Sequence, residues 1–137
     1  MLFHVTQGHS LKSGRLKLSV NVSVTTSAAI LGLKGRICFK HEAVLFSTIA
    51  QQFLKTGKHL VVELSGIDII DSAGIGELVL LHMQARAKGC EVRIVSPGKR
   101  VQQLLELTNV ASLFETCSSV DAALSSLPAK WSKILVS

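Results

Sequence analysis

The chain is 137 residues long, 47% hydrophobic and 18% charged, with a mean hydropathy of +0.42; that length suits one domain, and that composition can fill a core and excludes a disordered chain. No apolar run approaches the roughly 18 residues of a membrane-spanning helix, and the opening MLFHVTQGHS lacks the basic-then-apolar layout of a secretory signal, so a soluble cytoplasmic protein with no membrane insertion is expected. Fifteen Lys and Arg against nine Asp and Glu give +6, but Lys12, Arg15, Lys17, Lys130 and Lys133 lie at the two ends, the stretch between is nearly neutral, and 4% aromatic residues leave little for base stacking, so no nucleic-acid partner is expected.

In chain order, residues 1–14 contain Gly8, Ser10, Ser13 and Gly14 and read as a loose leader ahead of a domain over 15–125. From Arg15 to Val24 the chain alternates, with Leu16, Leu18, Val20, Val22 and Val24 on one face, which predicts a half-buried strand. Thr25-Thr26 turns the chain into a second strand over Ala28 to Leu33, antiparallel to the first and ending at Gly35. His41 to Lys55 repeats Val44, Leu45, Ile49 and Phe53 at helical spacing and stops at Gly57. His59 to Leu64 is a short apolar run suited to a strand covered on both faces.

A second helix is expected over Ser72 to Lys88, closed by Gly89, then a strand over Glu91 to Val95 and a turn at Ser96-Pro97-Gly98. Lys99 to Leu107 reads as a third helix, Phe114 to Thr116 as a short extended piece, and Ser118 to Leu124 as a fourth helix in which Ser118 and Asp121 have capping-box-like spacing. The order β-β-α-β-α-β-α-(β)-α predicts an α/β (mixed α+β) fold: a mixed sheet of four to five strands with about four helices, an antiparallel pair followed by right-handed βα units. The tail 126–137 spaces Trp131, Ile134 and Leu135 with Lys130 and Lys133 between them, a pattern shared by a short basic amphipathic helix and by a segment that packs back on the domain.

Cys38, Cys90 and Cys117 are odd in number and form no CxxC, and the five histidines fall into no metal-ligand spacing, so reduced thiols, no metal and no cofactor are expected. The informative stretch is Gly66-Ile67-Asp68-Ile69-Ile70-Asp71-Ser72-Ala73-Gly74-Ile75-Gly76-Glu77-Leu78, which joins a buried strand to a helix. Ser72 is a suitable N-cap and Asp71 sits at the positive end of the helix dipole. Gly74 and Gly76 each cost up to about 1 kcal/mol of helix propensity. Either they pack under a neighbouring element or another protein approaches them closely.

Three chemistries fail on this loop. A phosphate-cradling loop needs GxxxxGK[ST], and no lysine follows these glycines. A serine nucleophile would sit in GxSxG, whereas the order here is D-S-A-G. A phosphoacceptor aspartate of the receiver type belongs with an acidic pair near the first strand, and none is present. Along the helix, Ile75, Leu78, Val79 and His82 share one face, while Leu80, Leu81 and Met83 extend apolarity around the cylinder, as in a helix buried on several sides or docking a partner.

From about Lys17 to Leu124 the chain resembles STAS domains, the fold of sulfate-transporter C-terminal domains and bacterial anti-sigma factor antagonists. The resemblance is carried by Leu60-Val61-Val62-Glu63-Leu64 leading into Ile70-Asp71-Ser72-Ala73-Gly74-Ile75-Gly76, then Val92-Arg93-Ile94-Val95, Lys99-Arg100-Val101, Leu104-Leu105-Glu106-Leu107-Thr108 and Val120-Asp121-Ala122-Ala123-Leu124. It implies a binding domain rather than an enzyme. In the antagonist subfamily the serine after that aspartate is phosphorylated by a partner serine kinase that is itself the anti-sigma factor. By position this is Ser72. The implied partners are that kinase and a protein phosphatase, with a homodimer left open, and the implied contact residues are Asp71, Ser72, Ala73, Gly74, Ile75, Gly76, Cys38 and Phe39. Two positions depart from the pattern: Cys38 follows Gly35-Arg36-Ile37 where antagonists resemble G-x-h-D (h apolar), and Ala73 replaces the second serine of D-S-S-G. The resemblance also admits another class, an accessory STAS subunit of a phospholipid-type ABC transport system that binds its ATPase. Nucleotide binding by the domain itself has no phosphate loop to support it.

Overall fold

The computed structural model describes the backbone of residues 2–6 and residues 16–128 in full. Six strands form one sheet whose order equals chain order: β1 (Leu2–Thr6), β2 (Leu18–Val24), β3 (Ala28–Ile37), β4 (His59–Ile70), β5 (Val92–Val95) and β6 (Glu115–Cys117). The first three pair antiparallel and the rest parallel. Each parallel connection contains a helix: α1 (Phe39–Lys55), α2 (Ser72–Ala87) and α3 (Lys99–Leu107), the last followed by a 3-10 turn at Ala111–Leu113. The chain then enters α4 (Val120–Ser126).

The mixed α/β sheet with helices is the expected architecture. The strand count exceeds the expected four to five because Leu2–Thr6, inside the segment that reads as a loose leader, pairs with β2 from Leu2↔Ser23 to Thr6↔Ser19. Five residues beside a Gly- and Ser-rich stretch carry too short an alternation to announce a strand. Several boundaries also differ, among them the start of β2, at Leu18 rather than Arg15, and the end of β3, at Ile37 rather than Leu33. Helix α1 starts at Phe39, two residues before the expected His41. Strand β4 runs to Ile70 rather than Leu64, through register shifts opposite Gly32/Lys34 and Gly35/Arg36. Helix α4 is capped by Ser119, whose hydroxyl accepts from the Ala122 N–H at 3.0 Å, so Ser118 and Asp121 form no capping box.

The period-two pattern sorts the core into two layers. Leu60, Val62 and Leu64 of β4 join Leu18, Val20 and Leu31 beneath Phe46, Ala50 and Leu54 of α1 and Leu78, Leu81 and Ala85 of α2. Val61 points the other way and packs with Val95 and Ala123 under α4. Both faces of β4 are therefore covered, as the apolar run HLVVEL requires. The end of α4 is tied down by polar groups. Arg93 donates through Nε to Ser126 Oγ at 2.9 Å and through Nη2 to the Ser126 carbonyl at 3.2 Å. Buried His59 accepts the Glu91 N–H on Nδ1 at 2.9 Å and so carries its proton on Nε2, 3.0 Å from the Pro128 carbonyl. Among the described residues no helix is long and apolar enough to cross a membrane. The amphipathic reading of Trp131, Ile134 and Leu135 falls outside the described residues.

Candidate functional site

The carboxyl ends of β3 and β4 lie side by side, paired to Ile37↔Ile70, so α1 and α2 begin next to each other. One side chain joins the two starts. Asp71 accepts the N–H groups of Ala73 and Gly74 on Oδ1, both at 3.1 Å, and the Phe39 N–H on Oδ2 at 2.7 Å. Asp71, not Ser72, is thus the N-cap of α2, its backbone extended at φ −108°. The expectation of a Ser72 cap fails because the carboxylate one residue earlier offers two oxygens and takes both helices' free donors. Ser72 becomes the first helical residue. It is exposed, and its hydroxyl has no hydrogen-bond partner among the described residues.

The two glycines of the motif serve different ends. A Cβ on Gly74 would lie 2.5 Å from the Ile37 carbonyl oxygen and 2.6 Å from Ile70 Cγ1, so this glycine lets α2 seat on the strand ends. A Cβ on Gly76 would meet nothing within 4 Å. Nothing inside the domain asks for a glycine there.

The start of α1 is built differently. Its N-cap, Cys38, makes no side-chain capping bond. Phe39 has φ +61°, a conformation costly for a bulky side chain, and is 59% exposed. It is held by the Asp71 bond and by the Arg36 guanidinium, whose Cζ lies 4.9 Å from the ring centroid. Beneath this corner Glu42 is buried and fully occupied. Its carboxylate accepts from Arg36 Nε at 2.8 and 2.9 Å, the Lys17 N–H at 2.8 Å and the Cys38 N–H at 2.9 Å. The Cys38 thiol points at the Ile69 carbonyl, 3.8 Å away. Burial, then the carboxylates of Asp71 and Glu42, push this thiol's pKa up, so it stays protonated and unreactive near neutrality.

A STAS domain model matches residues 19–123. This chain belongs to the STAS domain family. A similar STAS fold occurs in an anti-sigma factor antagonist from Mycobacterium paratuberculosis, at 16% identity and TM-score 0.71 over 80% of this chain and 93% of that one. The anti-sigma factor antagonist SpoIIAA of Bacillus, in its unphosphorylated form, matches at 13% identity and TM-score 0.65, over 76% of this chain and 92% of that one. A murine anion transporter, Solute Carrier 26 family member A9, matches at 18% identity and TM-score 0.64, over 75% of this chain and 18% of that one.

Within this STAS domain the expected contact residues divide by depth. Phe39, Ser72 and Gly76 are exposed, and Asp71 and Ala73 are half-buried. Cys38, Gly74 and Ile75 are buried. On α2, Ile75, Leu78 and Leu81 are core, Val79 and His82 are half-buried, and Leu80 and Met83 are 40% and 60% exposed. Sequence reasoning missed Glu42 and Arg36. A signal was present: Glu42, Phe46, Ala50 and Leu54 fall at i, i+4, i+8 and i+12, a charge in the buried stripe of a helix.

Proposed function

We propose that this STAS domain is an anti-sigma factor antagonist, a cytoplasmic protein that binds an anti-sigma factor with serine kinase activity while Ser72 is unmodified and releases it once Ser72 is phosphorylated. A separate phosphatase restores binding. The domain works by docking, with no chemistry of its own. The observation that carries this reading is the free, exposed Ser72 hydroxyl at the start of α2, whose capping duty Asp71 has taken over. A hydroxyl that caps nothing is available to a kinase without loss of fold.

The electrostatics suit a switch. A phosphate adds about −1.5 to −2 charges at pH 7. The amides and dipole of α2 tolerate an anion at this end, so the domain stays folded. A partner docked over Ser72 meets a new, strongly hydrated charge beside the Asp71 carboxylate, and a loss of about 3 kcal/mol of binding lowers affinity more than 100-fold. Incubation with the purified histidine-kinase-like ATPases of the source genome and ATP should label Ser72. Labelling that persists undiminished in Ser72→Ala overturns the assignment. The second reading is an accessory subunit that binds the ATPase of a membrane transport system; the shared fold with an anion transporter's domain favours it. It predicts an unlabelled Ser72 and a complex indifferent to ATP-dependent modification.

A further inference from the structure

Two consecutive residues beside Ser72, Phe39 and Lys40, break local rules together. Phe39 leaves 59% of an apolar ring in water while its backbone holds φ +61°. Lys40 follows it in the first turn of α1, at the positive end of the dipole, where a cation is disfavoured, and the polar His41 comes next. Both are exposed, and neither has an ion-pair or hydrogen-bond partner among the described residues. The acid that should sit in this turn, Glu42, is turned inward and consumed by Arg36, Lys17 and Cys38. Departures from local consistency that cluster in one place mark a site under a different demand.

Phe39 is not one of the core residues: its ring carries the Arg36 guanidinium on one face, and its backbone N–H, not the ring, donates to the Asp71 carboxylate. The bracing matters because a side chain already fixed in one pose loses little freedom on docking. An exposed aromatic ring stacked on the Arg36 guanidinium and followed by the exposed Lys40 cation is the composition of an interface anchor. The two acids that reach this corner, Asp71 and Glu42, are taken up by N–H donors and the Arg36 guanidinium, and Asp68, exposed on β4, stands opposite the Gly35–Arg36 step.

We propose, building on the reading of Ser72 as a docking switch, that Phe39 is the anchor of the docking surface and that Lys40 and His41 form its rim, so that the partner presents an apolar pocket edged by carboxylates. The ring asks for a pocket, which a free anion cannot provide, and the rim sets the sign of the charge around it. The proposal also gives the switch its sign. A phosphate on Ser72, one residue from the carboxylate that pins Phe39, cancels the positive rim and faces the partner's own acids. The partner's selectivity is therefore written in the β3–α1 corner and its release in the β4–α2 corner.

The test uses the full chain and whichever purified histidine-kinase-like ATPase of the source genome binds it. Phe39→Gly removes the anchor while glycine accepts φ +61° without strain, so the melting temperature should hold or rise while affinity falls by about 30-fold or more. Lys40→Glu with His41→Glu should weaken binding about 10-fold at low salt, mainly through slower association, with the loss shrinking as salt is raised. Leu107→Ser, on α3 and 80% exposed, is the control and should leave affinity unchanged. If Ser72→Asp abolishes binding but Phe39→Gly or the charge reversal does not weaken it, the anchor is wrong and the switch stands. If no ATPase binds, or Ser72→Asp binds normally, the reading of Ser72 falls and this proposal with it. A Phe39-dependent dimer in sedimentation, or Phe39-dependent retention on phosphatidylserine vesicles in place of the ATPase, overturns the acidic protein partner.

Discussion

The two helices that begin side by side at the carboxyl ends of β3 and β4 start in opposite ways. Helix α2 has a side-chain cap, an uncharged first turn and a glycine fitted against the strand ends. Helix α1 has no side-chain cap, a first residue in the left-handed region and a lysine, Lys40, where the dipole opposes a cation. The first start is self-sufficient. The second is held together from outside, by Asp71 across the gap and by Glu42 from below. Correct local chemistry and irregular local chemistry thus sit within one hydrogen bond of each other, and Asp71 is the bond. The regular start carries the hydroxyl proposed to be modified, and the irregular start carries the side chains proposed to recognise the partner.

The largest effect should come from removing the support under α1. Glu42→Ala leaves Arg36 and the Lys17 and Cys38 amides without their acceptor, and should cost about 3 to 5 kcal/mol in urea unfolding. A loss under 1 kcal/mol would mean that α1's start needs no buried brace. Next is Asp71→Ala, which frees both helix starts at once and should cost about 2 to 3 kcal/mol, since it removes a cap together with a charge-assisted bond to a second element. An effect confined to α2 amides in hydrogen exchange, with Phe39 unchanged, would break the link between the two starts.

Smaller effects separate the paired glycines. Gly74→Ala should cost about 1 to 3 kcal/mol by forcing α2 off the Ile37 carbonyl. Gly76→Ala should instead stabilise by about 0.4 to 1 kcal/mol, because the space is open and the helix gains propensity. Equal signs for the two would erase the distinction between a glycine the fold requires and one it does not. The smallest effect is in alkali. The folded Cys38 thiol titrates above its ordinary value of 9.0. The native state therefore holds that proton when the unfolded chain has released it, and the contribution is intact below pH 9 and lost as pH rises beyond it. Cys38→Ser should flatten the alkaline limb of the stability curve, and native Cys38 should react with iodoacetamide more slowly than in urea at any pH near 8.

Much of this architecture is written in periodicity. Val20 and Val22 alternate into a strand, Phe46, Ala50 and Leu54 repeat into a buried helical stripe, and HLVVEL declares a strand covered on both sides. What escapes is written in pairings between distant residues. Which of Asp71 and Ser72 caps α2 depends on a donor from Phe39, 32 positions earlier. The length of β4 beyond Leu64 depends on Gly66 seating close to the Leu33 carbonyl oxygen, where a Cβ would be 2.7 Å away. The motif at Asp71–Gly76 is legible as a site because it is contiguous. Phe39 is legible only as a position that the resemblance implies at the contact surface, and its pose belongs to Arg36 and Asp71.

Strand order that matches chain order has a consequence for how this molecule is made. Each strand after the first finds its partner already laid down, so the sheet can grow from one edge as the polypeptide leaves the ribosome, with no segment waiting for a distant edge to arrive. The corner built around Asp71 closes when the sixteen residues after it have coiled, well before β6 and α4 are synthesised. A nascent chain stalled past that point would display a finished recognition corner on an unfinished sheet, open to capture by its partner before release.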